Sequence, residues 1–204
     1  ESVFHLSRFK NVDFSNTDLE NTDFGFTIIY DVNFNGANLK NAVFPRATIT
    51  SSDFSSGDLT NVDLSTILIT DTTFRNSILS NADFSGAELR YIDFNGANLE
   101  NLVLERSVLS HIDMTGIDKI KNMEIRFSDF MDVDFNGVDF SEIVLGPQNA
   151  FAGADFRNSN LPILQLGETD FAAKQTFTAY GKLASFVGGS NLSNLDFSNT
   201  DLSG

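Results

Sequence analysis

Val32-Asn33-Phe34-Asn35-Gly36, Ala37-Asn38-Leu39-Lys40-Asn41, Ala42-Val43-Phe44-Pro45-Arg46 and Ala47-Thr48-Ile49-Thr50-Ser51 are four consecutive strings of five residues with one plan. Each opens on a small or β-branched residue, and each has a large apolar residue at its centre. Reading every fifth position outward from Phe34 meets Phe, Leu, Ile or Met at 23 successive sites, from Phe4 to Met114, without a miss. The frame slips by one residue near Lys119 and resumes at Ile120, Ile125, Phe130, Phe135, Phe140 and Leu145. A second slip at Gly146-Pro147 restarts it at Phe151, Phe156, Leu161, Leu166 and Phe171, and it returns at Leu192, Phe197 and Leu202. Seventeen of the 21 Phe fall in this register, so the aromatic content belongs to a repeat rather than to a general core.

A period of five fits neither the 3.6-residue period of a helix nor the two-residue period of a flat strand. It fits a chain that turns a corner every five residues. Residues two apart in an extended segment point the same way, so the large residue and the small one before it both point inward. The other three positions face water or form the corner. Four units make one square coil, and a 20-residue period is visible independently in Asn21, Asn41, Asn61, Asn81 and Asn101, continued by Asn122 after the slip. Stacked Asn side chains can form an amide ladder, and Asn tolerates corner backbone angles. Gly36, Gly96, Gly116 and Gly137 mark another corner where positive φ is expected. Phe favours the first and third faces of the coil, Ile or Leu the second and fourth.

The strings Ala37-Asn38-Leu39, Ala82-Asp83-Phe84 and Ala97-Asn98-Leu99 resemble the unit of the pentapeptide-repeat family, A-(D/N)-(L/F)-x-x. The resemblance covers nearly the whole chain, with about 172–190 outside it. It implies an all-β fold, a right-handed quadrilateral β-helix, here of about ten coils and on the order of 48 Å long at strand spacing. Residues 1–204 read as a single domain. Residues 172–187 read as one short inserted helix, an insertion or a cap, with Phe177, Tyr180, Ala184 and Val187 on one face and Gly188-Gly189 at its end. Neither end carries an evident cap, so the chain is expected to continue beyond both ends or to pair, as a homodimer or end to end.

Charge and composition narrow the function. The chain has 204 residues, 28 acidic and 13 basic side chains and a formal net charge of −15. This argues against direct nucleic-acid or anionic-lipid binding. Without Cys there is no disulfide framework and no thiolate metal site. No apolar run has the length of a membrane span, and no signal peptide opens the chain, which points to the cytoplasm or to an effector secreted by another route. His5 and His111 lie about five coils apart, on the order of 25 Å, too far to share a catalytic site or a metal. No phosphate-binding glycine loop and no Ser-His pair within reach appear. The expectation is a non-enzyme with no cofactor and no metal.

Two faces are candidates for a partner. The third carries Asp13, Asn33, Asp53, Thr73, Asp93, Asp113, Asp134 and Asp155 just before its core residues, a nearly continuous acidic stripe. The second carries Arg8, Ile28, Thr48, Leu68, Glu88 and Val108 there, flanked by Tyr30, Thr50 and Thr70, and is the least charged. The structural readings are that Asp at this site bonds corner amides and that β-branched rows pack well in a stack. The functional reading is a protein-interaction rod or scaffold, alone or as one domain of a longer bacterial protein such as a secreted effector. The alternative is a DNA mimic that binds DNA gyrase. The resemblance supplies it, because Qnr-type and Mfp-type quinolone-resistance members are similar in length. Duplex DNA carries a charge every ~1.7 Å, about 28 over such a rod, so this chain reaches about half that density. The long loops of the Qnr type are absent before residue 116, and the Cys-rich repeats of that subgroup are absent throughout.

Overall fold

The computed structural model describes residues 2–145 together with Asn149 and Ala154. Over that span the chain is a β-solenoid whose backbone shows the five-residue period directly. Positive φ recurs at every fifth residue from Leu6 to Gly116, then at Asn122, Phe127, Asp132 and Gly137 after the one-residue slip. The slip lies between Gly116 and Lys119: Asp93 bridges Asp113, twenty residues on, whereas Asn98 bridges Lys119, twenty-one residues on. Glycine occupies left-handed backbone at Gly36 (φ 68°) and Gly96 (φ 71°), where its missing Cβ removes the steric cost. The same geometry is imposed on Arg46, Tyr91 and Phe127, which the sequence did not mark as corners.

At most corners the N–H of the small residue donates to the carbonyl of the core residue three back, as from Ala42 to Leu39 (3.0 Å) and from Ala97 to Phe94 (2.9 Å). Thr27 and Ser77 add their hydroxyls to the same carbonyls. The corner that follows the second face is closed otherwise. There Val32 N–H donates to the hydroxyl of Ser52 one coil on, and Ser52 N–H to the hydroxyl of Thr72. These inward hydroxyls satisfy amides that would otherwise be buried unpaired. Three-residue strands end at this corner, one per coil, and collect on this face.

Strands β1 (Arg8–Lys10), β2 (Ile28–Tyr30), β3 (Thr48–Thr50), β4 (Leu68–Thr70), β5 (Glu88–Arg90), β7 (Val108–Ser110) and β9 (Asp129–Met131) form a seven-stranded parallel sheet, one strand per coil. On the first face, β6 (Val103–Glu105), β8 (Glu124–Arg126) and β10 (Val144–Leu145) form a three-stranded sheet in the order β10-β8-β6. A 3-10 turn at Phe140–Glu142 precedes β10. The other faces are held by isolated parallel bridges, such as Asp13 to Asn33 and Asn33 to Asp53.

The core is the register read from the sequence. Phe24, Phe34, Phe44, Phe54, Phe74, Phe84, Phe130 and Phe135 are fully buried, with Ile29, Leu39 and Ile49. Phe24 and Phe44 stack on the first face at 4.6 Å, and Phe34, Phe54, Phe74 and Phe94 form a continuous column on the third at 4.6 to 5.5 Å between centroids. The positions two before them are small and also buried, among them Ala37, Ala42 and Ala82.

The expected amide ladder is present. Asn41, Asn61, Asn81, Asn101 and Asn122 each donate from Nδ2 to the Oδ1 of the Asn one coil before, at 2.9 to 3.1 Å. Asn61 has φ 59°, so two effects separate on mutation. Asn61→Ala and Asn61→Gly both break the ladder, but only Ala pays for left-handed backbone. The Ala variant should be less stable than the Gly variant by about 1 kcal/mol in urea denaturation. Equal stabilities would show that corner strain is relieved locally.

The ten-coil count, the Gly146-Pro147 slip, the register at Phe151–Phe171 and the 172–187 helix lie outside the described residues.

Candidate interaction face

The seven-stranded sheet builds the second face. Each strand turns its middle residue inward and its first and third outward, so two parallel rows line the face, all of them exposed or half-buried except Ser110, which is buried. One row is Arg8, Ile28, Thr48, Leu68, Glu88, Val108 and Asp129, in register through the strand pairs. The other is Lys10, Tyr30, Thr50, Thr70, Arg90, Ser110 and Met131. Of the residues expected on this face, Ile28 (43%), Tyr30 (45%) and Val108 (39%) are exposed, while Thr48 and Leu68 are half-buried by their neighbours in the stack. The face therefore exposes apolar side chains at Ile28 and Tyr30 near one end and at Val108 and Met131 near the other, with Thr48, Thr50, Leu68, Thr70, Glu88 and Arg90 between them and the charged Arg8, Lys10 and Asp129 on the end strands.

The sequence reading missed the border of this face. Leu6, Phe26, Arg46, Thr66, Gly86, Arg106 and Phe127 stack along one corner, and Leu6, Phe26 and Phe127 are exposed. Phe26 and Phe127 are out of the core register, which was the available signal. The guanidinium of Arg46 lies over the Phe26 ring at 5.6 Å, and that of Arg106 over Phe127 at 5.2 Å. On the opposite border Tyr91 and His111 stack at 4.8 Å, and His111 faces Asp132 at 3.7 Å.

The third face is the acidic stripe that was expected. Asp13, Asn33, Asp53, Thr73, Asp93, Asp113 and Asp134 are bridged coil to coil in one row; Asp155 lies outside the described residues. Each carboxylate of the row accepts the backbone N–H two residues on: Ser15 to Asp13, Ser55 to Asp53, Asn95 to Asp93, Thr115 to Asp113 and Asn136 to Asp134, at 2.8 to 2.9 Å. Arg75 also pairs with Asp93 at 2.9 Å. The same local bond occurs on the first face at Asp23, Asp63 and Asp83. Asp before a core residue thus has the same conformational role on the first and third faces, which is the structural reading of the stripe.

Among the described residues, Asp13 and Asp58 titrate below the ordinary carboxylate range. The Ser15 backbone N–H, with further help from the Ser15 hydroxyl and Asn33, holds Asp13 down. Burial pushes Asp58 up, but hydrogen bonds from Thr60 and Lys40 and the Lys40 charge outweigh it; the Lys40–Asp58 distance is 2.9 Å. A depressed folded pKa gives stability that is present above the unfolded value, 3.8 here, and lost as pH falls through the folded one. Asp58→Asn should therefore flatten the fall in stability below about pH 4, followed by urea denaturation over a pH series. An unchanged acid slope would contradict this account of Asp58.

Among the described residues, no group of three His, Cys, Asp or Glu could hold a metal ion, and no helix is long and apolar enough to cross a membrane. His5 contacts Asp23 and Phe26, whereas His111 contacts Asp132 and Tyr91, so the two histidines serve separate corners.

Comparison with protein-family models decides the classification. One model, described as a pentapeptide repeat region, matches residues 7–84, and a second, pentapeptide repeats (8 copies), matches 69–101 and 82–118. The chain belongs to the pentapeptide-repeat family. Together the two models run from residue 7 to 118, the stretch in which the frame is almost unbroken. No curated protein matches the sequence. Similar solved structures include the pentapeptide repeat protein Rfr23 from the cyanobacterium Cyanothece 51142, with 17% identity, 53% of this chain and 84% of that chain covered, and a TM-score of 0.43. HetL, involved in heterocyst differentiation regulation in Nostoc sp. strain PCC 7120, has 18% identity over 99% of this chain and 89% of that one, with a TM-score of 0.41. QnrB1, a plasmid-mediated fluoroquinolone resistance protein, has 20% identity over 98% and 90%, with a TM-score of 0.43.

Proposed function

We propose that this pentapeptide-repeat chain is a non-enzymatic protein-interaction rod that receives its partner on the second face. The observation that carries this reading is the seven-stranded sheet with Ile28, Tyr30 and Val108 held in exposed rows. A regular parallel sheet fixes these side chains at coil spacing with little conformational freedom, and rigid exposed apolar rows lower the entropic cost of docking. The third face is an acidic row whose Asp carboxylates are engaged by corner amides, and Asp23, Asp63 and Asp83 on the first face are engaged in the same way. On this reading the protein needs no cofactor.

The test uses the whole chain as bait in a lysate of its source organism. Ile28→Asp or Leu68→Asp should strip the captured partners, while Asp53→Lys with Asp93→Lys should leave them bound. Capture unchanged by either apolar-face variant would overturn the reading.

The second reading, a duplex mimic acting on DNA gyrase, draws support from the unbroken coil-to-coil register between Asp13 and Asp134. It expects gyrase supercoiling to change when the protein is added, and expects Asp53→Lys, Asp93→Lys and Asp113→Lys together to abolish the change. No effect on supercoiling at micromolar protein would end that reading.

A further inference from the structure

Three cations stand out in a chain of net charge −15. Lys40, Arg75, Arg90, Arg106 and Arg126 each pair with a carboxylate, whereas Arg8, Lys10, Arg46, Lys119 and Lys121 make no ion pair among the described residues; the last two line a hollow with Glu100, Asp118, Asp139 and Glu142 at the frame slip, so their charge is offset locally. Arg8, Lys10 and Arg46 sit together on one patch of the second face and its border. Arg8 and Lys10 are outward on β1; Ile28 and Tyr30 follow on β2 in register with them; Arg46 is at the corner beside Phe26, one coil further. Lys10 Nζ lies over the Tyr30 ring at 5.3 Å and Arg46 over Phe26 at 5.6 Å, so two of the charges are held beside exposed rings rather than against carboxylates. The apolar patch at the other end of the same face lacks this property. There Arg106 pairs with Glu105 and Arg90 with Glu88, and the cations are neutralised within the chain.

We infer that the first three coils of the second face bind an acidic segment of a protein partner, with an apolar side chain seated on Ile28 between Phe26 and Tyr30. The inference rests on the proposed role of this face and adds the partner's chemistry. The arrangement sets an order. Arg8 and Lys10 lie one coil before Ile28 and Arg46 one coil after it, so the flanking cations are about 10 Å apart along the axis at strand spacing. An extended peptide covers that distance in about three residues. The recognised segment therefore has carboxylates about three residues apart with an apolar residue between them. Acidic rows on the neighbouring faces repel such a segment elsewhere on the rod, which gives specificity. An anionic membrane is a poorer match, because three cations are fewer than the clusters that hold proteins to lipid and a flat bilayer would also meet the acidic borders.

The test is fluorescence anisotropy on the 204-residue chain with three labelled peptides of equal length. One has the acidic–apolar–acidic order, one has Ser in place of the apolar residue, and one has Gln and Asn in place of the acids. Vesicles of equimolar phosphatidylcholine and phosphatidylserine are run in parallel. The first peptide should bind best, and added salt should weaken it. Arg8→Glu with Lys10→Glu should lower its affinity tenfold or more, Ile28→Asp should do the same, and Arg106→Glu should leave it unchanged. Circular dichroism of each variant separates lost binding from lost fold. The inference is overturned if no peptide binds, if the acid-free peptide binds as well, if Arg106→Glu is as damaging as the Arg8 and Lys10 pair, or if only the vesicles bind. The two levels stay distinguishable. Binding of the acid-free peptide that Ile28→Asp abolishes would keep the face and discard the acidic partner, whereas binding indifferent to Ile28→Asp would discard both.

Discussion

Replacing Phe54 by Ala should lower the unfolding free energy by about 3–5 kcal/mol, read from urea denaturation. Phe54 is fully buried, with Phe34 at 4.6 Å on one side and Phe74 at 5.0 Å on the other, each nearly parallel to it. Removing the ring leaves a void between two planar neighbours fixed by the backbone bonds of their own coils, so collapse is limited and the cavity cost is large. Phe26→Ala is the control. That ring is 42% exposed at a corner and out of the core register, so its loss should cost well under the Phe54 value. A loss below about 1 kcal/mol at Phe54 would contradict the columnar core.

Ala42→Leu should be the next most damaging change, destabilising by about 2–3 kcal/mol. Ala42 is fully buried two residues before the Phe44 ring, and its N–H closes the corner on the carbonyl of Leu39 at 3.0 Å. A larger side chain must displace either the stacked rings or the corner. Relaxation is restricted because Asp63 donates its N–H to the carbonyl of Ala42 from the next coil, at 3.0 Å. The same substitution at Val43, which is half-buried on the surface, should be nearly neutral. Ala42→Leu without loss of stability would show that the small inward position is a compositional habit rather than a steric requirement.

The core and coil geometry were legible because one rule, a large apolar residue every fifth position, repeats at every level of the fold. From it followed the inward columns, the Asn ladder, the glycine corner and the slip near Lys119. The hydroxyl-closed corner after the second face was not legible. Its signature is the inward hydroxyls of Ser52 and Thr72, which read in the sequence only as small residues; their role as acceptors for the amides of Val32 and Ser52 depends on which coil lies next. The corner aromatics were missed for a similar reason. Phe26 and Phe127 were visible as exceptions to the register, but their stacking with Arg46 and Arg106 follows from the coil-to-coil superposition of corners. Of the candidate sites, the acidic stripe was legible as a row, and its bonding to the amides of Ser15, Ser55 and Thr115 is the conformational role that the sequence already offered for Asp at this position.

Photo-crosslinking tests the central claim, that the partner docks on the second face, most directly. A benzophenone amino acid placed at Ile28 on the second face or at Asp113 on the third samples two exposed positions on different sides of one rod. Irradiation in lysate should give partner adducts from position 28 and none from position 113. Adducts from position 113 alone would contradict the account and move the interface to the acidic stripe.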